Sequence, residues 1–207
     1  MTGMERPNRL PDTERLEKIL DFLFLADRMK STYRMGYLAD GSRHESDAEH
    51  MWHLGLHAML LQGEIGFETD LCRVLCLVLT HDLVELYAGD TYAYDAQAVA
   101  GQDERETESA KRLFATLPGD LGTRLFDYWR EFEAGTTPDA RFAKALDRLQ
   151  GFSQNVNSGG RSWRENGISR ERTSLRTTLP TQTDPALAEL IRILYARTDA
   201  PGFWPTA

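Results

Sequence analysis

Apolar positions recur at helical spacing along most of the chain, and no segment of convincing length alternates with a strand period. Asp12 is placed to cap a first helix running to about residue 29, with Leu16, Ile19, Leu20 and Leu23 facing inward. Residues 30–45 have no helical period and read as a loop, long enough to suggest a functional role. Ser46 and Glu49 then form a capping box. The helix they open runs to about residue 63 and is expected to bury His50, Leu54, Ala58 and Leu61. Thr69 or Asp70 starts the next helix, which passes through Leu71, Val74, Leu75, Val78 and Leu79 into His81-Asp82 and ends at Gly89. Its apolar residues cover most of its circumference, which predicts the central helix of the domain.

After a polar loop over 91–101, residues 102–117 and 121–133 read as amphipathic helices, the first ended by Pro118-Gly119 and the second by Gly135. Thr137-Pro138 is a strong helix start, and the helix it opens turns Phe142, Ala145, Leu146 and Leu149 inward. A polar loop over 155–167 and two helices, 169–178 and 185–197, complete the chain, Asp184 capping the last. The expected fold is all-α, one helical bundle domain over residues 1–207.

The helices flanking Gly66 are joined by a short link and should pack antiparallel. His50 lies sixteen residues before Gly66 and Asp82 sixteen after, so such packing sets His50 level with His81-Asp82. His53 falls about a turn away and His57 two. All three histidines cannot bind one ion, because His50 and His57 are ~10 Å apart along the axis.

Composition narrows the field. With 24 basic and 32 acidic residues the net charge is −8, and no basic block appears, which argues against nucleic-acid binding. The longest apolar run near the centre, 74–79, is far too short to span a bilayer. Residues 1–12 are polar, with no apolar signal core, so a cytoplasmic location is the default. Cys72 and Cys76 lie four apart in an apolar stretch and read as small buried hydrophobes.

The candidate chemistry centres on 80–85, Thr-His-Asp-Leu-Val-Glu. Neighbouring helical side chains diverge by ~100°, so His81 and Asp82 would meet only at something small between their tips. A divalent metal suits an imidazole and a carboxylate, and Glu85, one turn on from His81, would hang over the same spot. Alone, the pair reads more simply as a capped, solvated helix end, since a two-residue match is weak. Asp147 adds a carboxylate beside an apolar stripe, which requires a partner, either Arg148 or a metal.

In order, His50, His81-Asp82 and Asp147 resemble the ligand set of the HD-domain metal-dependent phosphohydrolases. The segments Arg34-Met35-Gly36-Tyr37, Arg43-His44-Glu45-Ser46, Ala48-Glu49-His50, His81-Asp82-Leu83-Val84-Glu85, Ala88-Gly89-Asp90 and Lys144-Ala145-Leu146-Asp147 are similar to the 5′-deoxynucleotidase branch of that superfamily. The resemblance covers about residues 14–165. It implies an HD-domain helical bundle in which His50, His81, Asp82 and Asp147 hold one divalent ion, with Mn, Co, Mg, Zn, Fe and Ni not distinguished. It further implies that Glu85 activates or orients water, that Asp90 acts near the leaving oxygen or orders the site, and that Arg34 and Arg43 grip phosphate. The substrate would be a (deoxy)nucleoside 5′-monophosphate, and the branch commonly forms homodimers. No histidine follows His81, so the histidine-rich dinuclear sites of the superfamily cannot be completed.

Where the branch carries a tryptophan near the sugar, associated with rejecting the ribose 2′-hydroxyl, this chain has Tyr37. Tyrosine would leave room for that hydroxyl or hydrogen-bond it. Gln154, Asn155 and Arg161 are further candidates for the pocket wall. Tyr128-Trp129 and Phe203-Trp204 would cover a dimer interface or cap the core. Two other functions remain open: hydrolysis of a nucleotide phosphoanhydride (a triphosphate or alarmone), and metal-stabilised nucleotide binding without turnover. Glu85 and Asp90 argue against the second, since a structural site needs neither.

Overall fold

Asp12 caps the first helix as its position predicts, its carboxylate accepting from the amide of Arg15. This computed structural model describes residues 12–206. Helix α1 (Thr13–Ala26) gives way to a 3₁₀ turn at Asp27–Ser31. Its inward face differs from the expectation: Leu16, Leu20 and Leu23 are 52, 48 and 59% exposed, while Phe22 is buried. So many of its residues are apolar that periodicity alone could not choose the stripe. Ile19, Phe22, Leu25 and Ala26 are the ones that meet the core.

Residues 30–45 are not simply a loop. Strand β1 (Tyr33–Tyr37) pairs antiparallel with β2 (His44–Ser46), with Tyr33 opposite Ser46, Tyr37 opposite His44 and an irregularity between. Strands this short, one interrupted by Gly36, show no alternation to read. The hairpin leads straight into α2 (Asp47–Leu61), where Ser46 and Glu49 form both halves of the capping box. The Asp47 amide also donates to Thr32 O, fastening the helix start to the hairpin.

Helix α3 (Leu71–Val78) starts at Asp70, whose carboxylate accepts from the amides of Cys72 and Arg73. It runs antiparallel to α2. Gln62 donates to Thr69 O, Gly55 packs on Leu75, and His50 meets Asp82, so each step forward along α2 matches a step back along α3. The helix does not continue into the His-Asp pair as expected. It breaks at Leu79-Thr80; a 3₁₀ turn (His81–Val84) carries the pair, and α4 (Glu85–Ala88) follows. Gly89 ends α4 at a φ of 76°, its amide donating to Glu85 O.

The expected loop over 91–101 contains a short helix, α5 (Ala96–Val99). Helices α6 (Gln102–Phe114) and α7 (Gly119–Ala134) follow. Helix α8 (Pro138–Asn157) runs further than expected, and α9 (Arg161–Glu165) occupies part of the expected polar loop over 155–167. A 3₁₀ turn precedes α10 (Ser174–Thr183), and α11 (Pro185–Ala196), capped by Asp184, is the last helix described.

The central helix is α8, not α3. Eleven of its twenty residues are buried, and it packs on α2, α3, α7, α10 and α11. Three of the eleven, Asp147, Gln150 and Gln154, are polar, which hides the helix from a hydrophobicity reading. Cys72 is exposed and Cys76 half-buried, against the expectation for both, because the apolar circumference of α3 exceeds the face its neighbours cover. The paired aromatics close the protein's own core: Trp129 is buried against the half-buried Phe126, and Trp204 stacks on Trp163 at 4.9 Å. Leu54, Val74, Leu77 and Leu146 belong to one apolar cluster, Met51, Val84, Leu113 and Trp129 to another. Both border the segments that carry the polar site. No described helix is long and apolar enough to cross a membrane.

Candidate metal centre

Each of the two imidazoles is held by its Nδ1. His50 Nδ1 lies 2.6 Å from Gln150 Oε1, and Gln150 Nε2 donates to Glu45 Oε1 at 2.9 Å. The amide oxygen only accepts, so Nδ1 carries the proton and Nε2 presents its lone pair. His81 Nδ1 likewise donates to Val78 O at 2.8 Å. Both Nε2 atoms are buried without a hydrogen-bond partner among the described residues.

Two carboxylates face these nitrogens. His50 Nε2 is 3.3 Å from Asp147 Oδ1 and 3.6 Å from Asp82 Oδ2; His81 Nε2 is 3.0 Å from Asp82 Oδ1, outside hydrogen-bond geometry. One ligand atom from each of His50, His81 and Asp147 lies within 4.8 Å of the others. Orphaned imidazole nitrogens opposed to carboxylates fit a divalent cation. Burial, helped by the Arg34 charge, pushes His50 down toward the neutral form that metal ligation requires. Burial is the largest influence on His81 and lowers it, but the carboxylates of Asp82 and Asp147 and the Val78 carbonyl together outweigh it and the net shift is upward.

A second group of acids abuts the first. Asp47, Asp82 and Glu85 bring oxygens within 4.8 Å of one another, all three buried. Arg34 Nη1 donates to Asp82 Oδ2 at 2.6 Å and sits 3.5 Å from Asp47 Oδ1. Burial and the Asp82 charge push the Asp47 carboxyl up to about 7 and that of Glu85 well above the usual range. Burial also pushes Asp90 up. Arg34, His81, Asp82, Glu85, Asp90 and Asp147 line one cavity of about 710 Å³.

Thus His50, His81, Asp82 and Asp147 converge from α2, the 3₁₀ turn and α8, with Glu85, Asp90 and Arg34 beside them. Tyr37 and Arg43 do not join them. The Tyr37 hydroxyl donates to Glu165 Oε2 at 2.9 Å, its ring stacks on His44, and Arg161 lies over it. Arg43 pairs with Glu49, extending the capping box. Gln154 and Asn155 line a narrow neighbouring pocket of about 80 Å³, whose lining does not include Arg161. Asp147 has its arginine as well as its imidazole, with Arg148 Nη1 3.3 Å away. Asp47, Gln150 and Arg176 were not singled out from the sequence. Asp47 had a signal, since it lies three residues before His50 on the same helical face.

Two imidazoles and two carboxylates gathered inside a helical bundle make a donor set suited to a divalent metal. A family model described as HD domain matches residues 26–187, and the chain belongs to that family. Human 5′-deoxynucleotidase HDDC2 is 32% identical over 133 residues, covering 64% of each chain. The fission-yeast 5′-deoxynucleotidase hdd1 is 29% identical over 142 residues, 66% of this chain and 70% of that one. The match therefore spans less than two thirds of the human relative. A solved structure described as a predicted metal-dependent phosphohydrolase, from Magnetospirillum magnetotacticum MS-1, is 34% identical and superposes with a TM-score of 0.81, covering 96% of this chain and all of that one.

Proposed function

We propose that the protein hydrolyses the phosphomonoester of (deoxy)nucleoside 5′-monophosphates, releasing nucleoside and phosphate, with one divalent ion held by His50, His81, Asp82 and Asp147. The observation that carries this reading is the pair of unpartnered Nε2 atoms facing Asp82 and Asp147, with Glu85 alongside. The names of the relatives supply the substrate class.

A bound dication lowers the pKa of water and polarises a phosphoryl oxygen. Glu85, on the cavity wall beside His81 and Asp82, accepts the proton of the attacking water. Asp90, on the same cavity wall, orders the leaving-oxygen side. Arg34 offers its planar fork to phosphate oxygens. Arg43 and the Tyr37 side chain fall outside this reading, each engaged elsewhere.

The whole chain acts here as one domain, with α10 contributing to the cavity wall through Arg176. We place homodimer formation in the same reading. Trp52, Leu56, Met59 and Leu60 form an exposed apolar stripe along α2, a surface a second copy would cover. A cytoplasmic setting accords with the free thiols of Cys72 and Cys76.

The test is a phosphate-release screen of ribo- and deoxynucleoside monophosphates across manganese, cobalt, magnesium, zinc, iron and nickel. Turnover of monophosphates is the expected result. Pyrophosphate from triphosphates, with monophosphates untouched, would assign an anhydride hydrolase instead. Nucleotide binding without any release would leave a binding protein.

A further inference from the structure

Three guanidinium groups surround the single carboxylate of Asp147. Arg148 Nη1 is 3.3 Å and Arg176 Nη2 3.6 Å from Oδ2, and Arg34 Nη2 is 3.9 Å from Oδ1. Arg34 has Asp82 and Asp47 as further partners. Among the described residues Arg148 and Arg176 form an ion pair with Asp147 alone, and neither guanidinium donates a hydrogen bond. Their side chains are 30% and 18% exposed, and both line the cavity that holds the metal centre. Lys144, on the same lining, is by contrast already committed to the backbone and carboxylate oxygens of Glu133.

A guanidinium carries five donors in a rigid fork, and leaving them unmatched in a partly dry site is unfavourable. One carboxylate cannot satisfy two such forks. Once Asp147 also contributes charge to a dication, Arg148 and Arg176 lose most of their counter-charge. An anion entering from the cavity would restore it.

We propose that Arg148 and Arg176, which approach Asp147 at Oδ2 where Arg34 approaches Oδ1, form an oxyanion clamp for the phosphoryl group. This inference rests on the phosphomonoesterase reading and specifies how its substrate is held. Arg176 also lines the narrow neighbouring pocket, where Tyr92, Tyr94 and Phe152 supply aromatic walls. A phosphoryl group gripped there directs the organic group esterified to it toward that aromatic cleft. The clamp acts by positioning and charge, as phosphoryl transfer requires.

The experiment uses the metal-loaded full chain, with inorganic phosphate as the probe. Phosphate binding by calorimetry and bound metal by elemental analysis are measured for wild type, Arg148→Gln, Arg176→Gln and Arg176→Lys, alongside turnover of a nucleoside monophosphate. The expected result is phosphate affinity about tenfold lower in each glutamine variant at unchanged metal content, the lysine variant lying between. Unchanged phosphate binding in both glutamine variants would overturn the clamp. So would metal loss in step with phosphate loss, which would make the arginines supports for Asp147, and so would a wild type that binds no phosphate. If wild type hydrolyses no monophosphate yet phosphate binding falls in the variants, the clamp stands and the substrate reading fails.

Discussion

His50 Nδ1 and Gln150 Oε1 lie 2.6 Å apart, joining α2 to the buried centre of α8 across a hundred residues of sequence. The bond fixes the imidazole tautomer, and Glu45 fixes the amide that fixes the imidazole. Gln150→Ala removes the acceptor from His50 and the donor from Glu45. Metal affinity should fall about 10- to 100-fold, as for other partners behind a metal-ligating histidine. Chelator competition checks this; affinity equal to wild type would show that the tautomer is set without Gln150.

Glu85→Gln keeps the shape of the side chain and removes its basicity. Metal content and melting temperature should stay near wild type, while kcat falls about 10²- to 10⁴-fold. Parallel metal analysis decides the matter, since loss of metal with activity would make Glu85 a ligand.

Asp147→Ala takes away one face of the proposed metal site and the counter-charge of Arg148 and Arg176. Bound metal should drop below one equivalent under conditions that saturate wild type, with stability lowered by about 3–5 kcal/mol from uncompensated buried charge. Elemental analysis and denaturant unfolding measure the two effects separately.

Arg43 pairs with Glu49 at the start of α2, so Arg43→Ala should leave kcat/KM within about twofold of wild type. It should instead alter acid tolerance. Arg43, with Ser46, holds the Glu49 carboxyl down at about 2. A depressed carboxylate contributes stability in full above its ordinary pKa and loses it as pH falls toward the folded value. The variant should therefore lose less stability than wild type between about pH 4.5 and pH 2. Because the pair is partly exposed, the difference is at most about 1 kcal/mol. Denaturant midpoints across that range provide the measurement.

Leu60 is 74% exposed on the apolar stripe of α2. Leu60→Glu should convert a dimer to a monomer with little change in melting temperature. Light scattering coupled to gel filtration reads the outcome, and a wild type that is already monomeric would remove α2 as an interface.

The grouping of His50, His81-Asp82 and Asp147 was legible in the chain because caps at Ser46 and Asp70 set the frame of two helices joined by a short link. Antiparallel packing then placed the histidines by counting. Asp147 stood out as a carboxylate beside Leu146 and Leu149. Gln150 and Arg176 were not legible. A neutral amide draws no attention until its partner is known, and Arg176 reaches the site only through the packing of α10 on α8. The hairpin was hidden by its short strands. The break after Val78 was hidden because apolar residues continue through Leu83 and Val84, and a 3₁₀ turn leaves no separate mark in composition. The stripe of α1 was misjudged because Leu and Phe occupy both sides of that helix.

The paired register of α2 and α3 also determines where the gene can tolerate an inserted or deleted codon. A residue added to the link over 63–68 lengthens a surface connection and leaves His50 opposite Asp82. One added inside α2 between His50 and Leu61 swings the imidazole by about 100° and advances it by about 1.5 Å. Length variation among descendants of this gene should accordingly collect at the tip of the helical pair, while the span from His50 to Leu61 keeps a constant count.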